Sequence, residues 1–373
     1  MGTLPPLPPQ TNLETRDVLL ALADAHRHLG ELKGAARTIP NQRILIDTLS
    51  LQEAKDSSEV ENIVTTHDEL YRATSGEQTV GPAAKEVERY VRALHAGFRN
   101  VKEQGLIPNR LIKEIHRILE PQKPGFRKVP GTGLRDMTSG KTIYTPPQSH
   151  AEIVQYMSDL ERFINDESRS HLDPLIKMAL IHYQFESIHP FYDGNGRVGR
   201  IINVLYLVAN GLLDIPVLYL SRFIIQSKSE YYNRLQAVRD EGAWKQWVLY
   251  MLQGVSRTSN QTLLLIESIR DLMLDVKHRM REQLPRIYSQ DLLNNLFRHP
   301  CTKISFVETD LGVSRATAAR HLQSLSEAGF VRKQKVGRCN YYLNTPLIEL
   351  LLHVPPPETE ADRTPGQNSA QTS

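Results

Sequence analysis

Cysteine is nearly missing: only Cys301 and Cys339 occur in 373 residues. They lack metal-ligand spacing, so a thiolate metal centre is excluded and a reduced, cytoplasmic setting is the expectation. Excess charge is missing too. The net charge of +3 is too small to argue for nucleic acid by itself. No apolar run approaches membrane-spanning length and no signal-peptide pattern opens the chain, so no membrane partner is expected. Internal repeats are absent. What is present is 40% hydrophobic content, enough for two or three domains with real cores.

Long helical patterns dominate and strand signals are few, so the expected class is mainly α. The proline-rich start, Met1 to Thr11, reads as irregular or extended. Residues 1–110 read as an N-terminal helical region and 111–255 as a catalytic core. A connecting helix is expected over 256–285, beginning near Arg257 and ending before Pro285. A small unit follows at 286–348, and 349–373 reads as a disordered polar tail. Within the core, residues 126–147 carry short alternating pieces suited to a hairpin.

Twelve positions stand out: His189-Pro190-Phe191-Tyr192-Asp193-Gly194-Asn195-Gly196-Arg197-Val198-Gly199-Arg200. Asp173-Pro174 opens a helix before them, with a capping residue and a proline at the first turn. Val198, Ile201, Ile202, Leu205 and Val208 form the stripe of a helix after them, stopped at Gly211. The Asp193–Gly196 loop therefore feeds a helix N-terminus, whose unpaired N–H groups suit phosphate. Gly194 and Gly196 allow close backbone approach. Arg197 and Arg200 share one side of the helix and can clamp terminal phosphates. Asp193 is the one carboxylate in the loop and the natural Mg²⁺ ligand. His189 suits removal of a proton from a hydroxyl near neutral pH. Phe191 reads as a core anchor. A glycine turn beside solvated arginines is the bland alternative, and the full set in register argues against it.

This stretch resembles the Fic family signature HPFx(D/E)GNGRxxR at every defined position. Phe185-Glu186-Ser187-Ile188 looks like the family's lead-in, and the likeness extends over about residues 55–255. It implies a Fic-fold helical bundle that transfers AMP from ATP to a Tyr, Ser or Thr hydroxyl of a target protein or of itself. His189 would be the general base and Asp193 would hold Mg²⁺. Gly194, Asn195, Gly196, Arg197, Val198, Gly199 and Arg200 would bind ATP. Gly125-Phe126-Arg127 and Lys141-Thr142-Ile143-Tyr144 look like the family's flap, whose edge aligns the target by strand addition. Tyr231 and Tyr232 resemble the pair lining the adenine side, and equally suit a helix core. Ser57, Glu61 and Asn62 fit the family's inhibitory pattern (S/T)xxxE(G/N), on a helix expected near 57–66. There Glu61 would pair with Arg200 and misplace the γ-phosphate. Ser58-x-x-Glu61 also reads as a capping box that starts a helix.

Residues 286–348 resemble a winged helix-turn-helix of bacterial regulators. Helices would start at Ser289, Ser305 and Ser314, followed by a two-stranded wing through Phe330–Leu343. Arg315, Arg320, Lys333, Lys335 and Arg338 could meet DNA phosphates. Protein contact, including homodimerisation, is the other use of such a module. The rival for the whole chain is a DNA-binding regulator whose Fic portion senses nucleotide. Other donors (UTP, GTP or CDP-choline) and AMP removal also fit the signature, which addresses only shared phosphates.

Overall fold

A computed structural model describes residues 4–64, 81–135, 142–336 and 339–352. Among these residues helices carry the fold and the sheets are small, as the periodicity implies. Helix α1 spans Arg16–Ala36 and α2 Arg43–Val60; α3 is Pro82–Gln104 and α4 Asn109–Leu119. Strands β1, Leu134–Arg135, and β2, Thr142–Tyr144, pair antiparallel with Leu134 opposite Tyr144. Helix α5, His150–Asn165, precedes α6, Pro174–Ile188, and α7, Asn195–Ala209.

Helices α6 and α7 form the centre. Every residue of α6 from Leu175 to Ile188 is buried, because the sequence is apolar on all sides rather than on one stripe. Asp173 caps it by accepting the Leu175 amide at 2.8 Å. Helix α7 is buried from Arg197 to Val208, and Gly211 follows it in the left-handed region at φ 68. Helix α3 crosses α7 at Gly97, where an added Cβ would sit 2.6 Å from Leu205 Cδ1. The helices can approach this closely only at glycine.

Helix α8, Leu220–Gln226, and α9, Lys228–Glu241, lead into α10, Trp244–Gln283. The connecting helix expected from 256 is thus the later part of one 40-residue helix that begins at Trp244. Gly242, at φ 66, is the real break, and Trp244, Trp247 and Met251 pack the first half into the core. Trp247 Nε1 donates to the Ala179 carbonyl of α6 at 2.8 Å. Helix α1 lies along α10, joined where Ser256 Oγ donates to Asp24.

The inhibitory helix expected near 57–66 is instead the end of α2, with Glu61 just past its last turn. No capping box forms, since Ser58 Oγ donates back to the Ala54 carbonyl at 2.8 Å. Asn62, at φ 63, terminates the helix. Helix α2 is bound down by polar groups. Tyr90 and Ser221 donate to buried Glu53, whose carboxyl burial pushes up to about 8. Arg222 donates to Asp56 at 3.2 Å.

The C-terminal unit contains α11, Gln290–Arg298; β3, Cys301–Thr302; α12, Ile304–Leu311; α13, Arg315–Glu327; β4, Arg332–Val336; and β5, Cys339–Leu343. Ser289 and Ser314 cap α11 and α13, whereas α12 begins after Lys303 rather than at Ser305. The sheet has three strands in the order β3-β5-β4, one more than the two-stranded wing. Helix α14, Thr345–Leu352, continues past 348, and buried Leu351 corrects the expected tail start at 349. Residues 353–373 and Arg338 lie outside the described residues. Arg298 of α11 reaches Asp47 of α2, fixing the unit against that helix.

Candidate active site

Helix α6 ends at His189, which adopts the left-handed conformation at φ 49. A non-glycine residue there costs free energy, and the surrounding turn must hold it. Phe191 does so from below. It is fully buried, stacked on His116 of α4 at 3.7 Å and tilted against Phe126 and Phe185. Asn195 closes the turn. Its Oδ1 accepts the Phe191 amide at 2.9 Å and its Nδ2 donates to the Phe191 carbonyl. The Asn195 side chain is therefore spent on the loop, which leaves its backbone amide for the expected ATP contact.

Gly194, at φ 73, is the N-cap of α7. The first helical bond runs from the Val198 amide to the Gly194 carbonyl. The amides of Asn195, Gly196 and Arg197 precede it and have no helical partner. These three amides are the donors left over at the helix start, the expected anion nest. Val198 does not contribute, because its side chain is fully buried and its amide is bonded. At Gly199 an added Cβ would meet Glu186 Oε1 at 2.7 Å, so that glycine serves a buried carboxyl. Burial pushes the Glu186 carboxyl up to about 7.

The arginines are both occupied. Arg200, 1% exposed at its side chain, donates to Ser57 Oγ and the Ser57 carbonyl at 2.8 Å each. It also meets Glu61 Oε1 at 2.9 Å. The Glu61 carboxylate lies on the nest itself, since a Cβ at Gly196 would stand 2.3 Å from Oε1. A carboxylate thus covers the helix-start amides. Arg197 is held elsewhere, by Glu86 of α3 at 2.8 Å and by Glu120 at 2.7 Å. That geometry ties α7 to α3 and to the end of α4, rather than presenting a free clamp. Arg197→Met is expected to lower thermal stability by about 1–3 kcal/mol, since it strands two carboxylates; unchanged melting would contradict it.

His189 is partly buried. Its pKa falls to about 4, chiefly by burial and then by the Arg127 charge, with Glu61 opposing. His182, fully buried on α6, falls to about 3 by burial and the Arg200 charge. Its ring bridges Tyr231 Oη at 2.8 Å and Asn203 at 3.0 Å. Both imidazoles take up protons in the unfolded chain near the ordinary 6.5 before the folded protein does. The raised Glu53 and Glu186 carboxyls bind protons in the folded protein first and offset the imidazoles between about pH 6.5 and 4.5, so stability is expected to fall below about pH 4.5, where the unfolded carboxyls protonate as well. Denaturant midpoints measured between about pH 6 and pH 3.5 check this; a profile flat below about pH 4.5 would contradict it.

Asp193 is 77% exposed at its side chain and accepts the Gly194 amide at 2.7 Å. Tyr231 is buried against His182 and Trp247, while Tyr232 is 47% exposed. Only Tyr232 can face a ligand without rearrangement. On β2, Thr142 and Ile143 are exposed and Tyr144 is half-buried; Lys141 lies outside the described residues. Asn62 accepts from Lys228 at 2.9 Å and stands apart from Arg200. Sequence reasoning missed Glu86, Glu120 and His116, whose partners lie far along the chain.

The helical bundle, the hairpin and the histidine–glycine turn together define the Fic/DOC family, and the chain belongs to it. Residues 19–99 match the family model described as Fic/DOC family N-terminal, and 106–207 that described as Fic/DOC family. Residues 272–347 match Protein adenylyltransferase SoFic-like, C-terminal domain. A probable protein adenylyltransferase of Aquifex aeolicus is 29% identical over 53% of this chain and 57% of its own. Protein adenylyltransferase fic-1 of Caenorhabditis elegans is 29% identical over 32% of this chain and 24% of its own. The chain thus spans well under two thirds of these relatives' lengths. Among solved structures, a Fic family protein from Desulfovibrio desulfuricans G20 superposes with TM-score 0.56 at 19% identity. That match covers 91% of this chain and 98% of the other, and at such identity it speaks for the fold alone.

Proposed function

We propose that the protein is an adenylyltransferase that moves AMP from ATP to a protein hydroxyl and is held inactive by Glu61. The observation that carries this is the set of helix-start amides at 195–197, covered by the Glu61 carboxylate, beside a neutral His189 on the same turn. The relatives named as adenylyltransferases support the choice of reaction. The hydroxyl oxygen attacks the α-phosphorus, the bond to pyrophosphate breaks, and the proton passes to His189. Nδ1 of that ring is buried, which leaves Nε2 to receive it. The nest amides and Arg200 hold the oxygens on which charge grows. Asp193, a single carboxylate at the lip of the loop, fits a Mg²⁺ that takes its other ligands from phosphate and water. Bound there, the ion would neutralise phosphate charge.

The pH profile follows from the lowered His189 pKa. The free base persists down to about pH 4, so activity of a Glu61→Gly variant is expected to hold from pH 8 to about pH 5 and fall below. Initial rates across that range check it. An acid limb near the ordinary 6.5 would contradict it.

We read the C-terminal unit as a winged helix. Arg315, Arg320, Lys333 and Lys335 are exposed on α13 and β4, which supports DNA-phosphate contact there. A gel-shift titration against salt tests it, and salt-independent or absent retention would leave protein contact as its use.

A further inference from the structure

Three successive carbonyls at the end of α6, those of Ser187, Ile188 and His189, fall past the helical ladder. Their donors come from the segment that carries the hairpin. Tyr144 Oη, on β2, donates to Ser187 at 2.9 Å. Arg127 Nε donates to His189 at 2.8 Å, and its Nη2 reaches both Ile188 and Pro147 just past β2. The Arg127 amide donates to Pro190 at 2.8 Å, and the Arg127 carbonyl is bonded by His150. Arg239 of α9 lies 3.9 Å over the Tyr144 ring and presses it onto the turn.

Arg127 is fully buried, and its hydrogen bonds go to carbonyls, with Nη1 unpartnered. A buried cation is costly without compensation. Here the carbonyl dipoles at a helix C-terminus supply it. Plain packing would be served better by an apolar side chain. The fork does what an apolar chain cannot: it grips the His189 backbone and the base of the hairpin at once.

We propose that Arg127 and Tyr144 are positioning residues that lock the hairpin to the His189 turn, so that a target strand laid on the hairpin edge arrives in register with the imidazole. This rests on the adenylyl-transfer reading. The two residues touch no reacting atom and act through the backbone of residues 187–190. The lock also places the Arg127 charge beside the imidazole, together with Arg239 and, on the opposing side, Glu61.

The test uses the full chain in a Glu61→Gly background, with Arg127→Lys, Arg127→Met and Tyr144→Phe. Three quantities are read: kcat with ATP and Mg²⁺, ATP affinity by calorimetry, and amide hydrogen exchange of 134–135 and 142–144. Arg127→Met is expected to lower kcat about 100-fold with ATP affinity within about twofold, and to speed hairpin exchange. Its acid limb moves up toward the ordinary histidine value, because a neighbouring positive charge is lost. Arg127→Lys keeps the charge and loses the fork, so kcat falls while the acid limb stays. Tyr144→Phe lowers kcat about tenfold and retains the ring under Arg239. Parental kcat in Arg127→Met, or equal loss of ATP binding and turnover in all three, would overturn the proposal. If the Glu61→Gly parent itself transfers nothing, the functional reading fails, and unchanged hairpin exchange in Arg127→Lys and Arg127→Met separately overturns the lock.

Discussion

Replacing Glu61 by glycine is expected to raise AMP transfer by about 100-fold, read as an AMP adduct by intact-mass spectrometry. The Glu61 carboxylate does two things at once. It takes the Arg200 Nη2 donor at 2.9 Å, and it occupies the space above Gly196 that a phosphate would need. On the proposed reading ATP would still enter beside it, but its terminal phosphates would not settle on Arg200. The α-phosphorus then presents the wrong face to the incoming hydroxyl, and misplacement of about 1 Å at such a centre costs orders of magnitude. Glycine removes the anion and leaves Arg200 held by Ser57 Oγ and the Ser57 carbonyl, so the clamp keeps its place. The variant is also expected to be less stable without nucleotide, by about 1–3 kcal/mol, since a hydrogen bond to a buried charge is lost. ATP with Mg²⁺ recovers that loss by mass action. Equal transfer by parent and variant would remove the inhibitory role.

His189→Ala in the Glu61→Gly background is expected to lower transfer by about 10²–10⁴-fold while ATP binding persists. The imidazole is the one neutral base on the turn, and nothing else there replaces it near neutral pH. Arg127 binds the carbonyl of residue 189 rather than its ring, so the substitution leaves that bond in place. The backbone at φ 49 tolerates asparagine better than alanine. His189→Asn therefore serves as the folding control and should be equally inactive. Retained transfer in both variants would mean that the proton leaves by another route.

What was legible in the sequence was local. His189, the glycine turn and both arginines stand within twelve contiguous positions, and the caps at Asp173, Ser289 and Ser314 follow short-range rules. What was not legible came from residues distant in the chain. Arg197 finds Glu86, 111 positions away, and Glu120, 77 away, and no local pattern marks either carboxylate. The loop-closing bonds of the Asn195 side chain to Phe191 were not legible, because they require a turn that only the folded loop forms. The end of α2 was misread as a beginning, because Ser58-x-x-Glu61 satisfies a start rule. Asn62 carried the opposite signal, an asparagine able to stop a helix in the left-handed region. Strand β3 was missed since two residues, Cys301–Thr302, make no alternation to read.

The most direct test of the account is a crystal structure of the Glu61→Gly protein with ATP and Mg²⁺. The account predicts the triphosphate on the amides of residues 195–197, the γ-phosphate at Arg200, the ion at Asp193, and Nε2 of His189 facing the α-phosphorus. A nucleotide bound elsewhere, or an imidazole turned away from the α-phosphate, would contradict it.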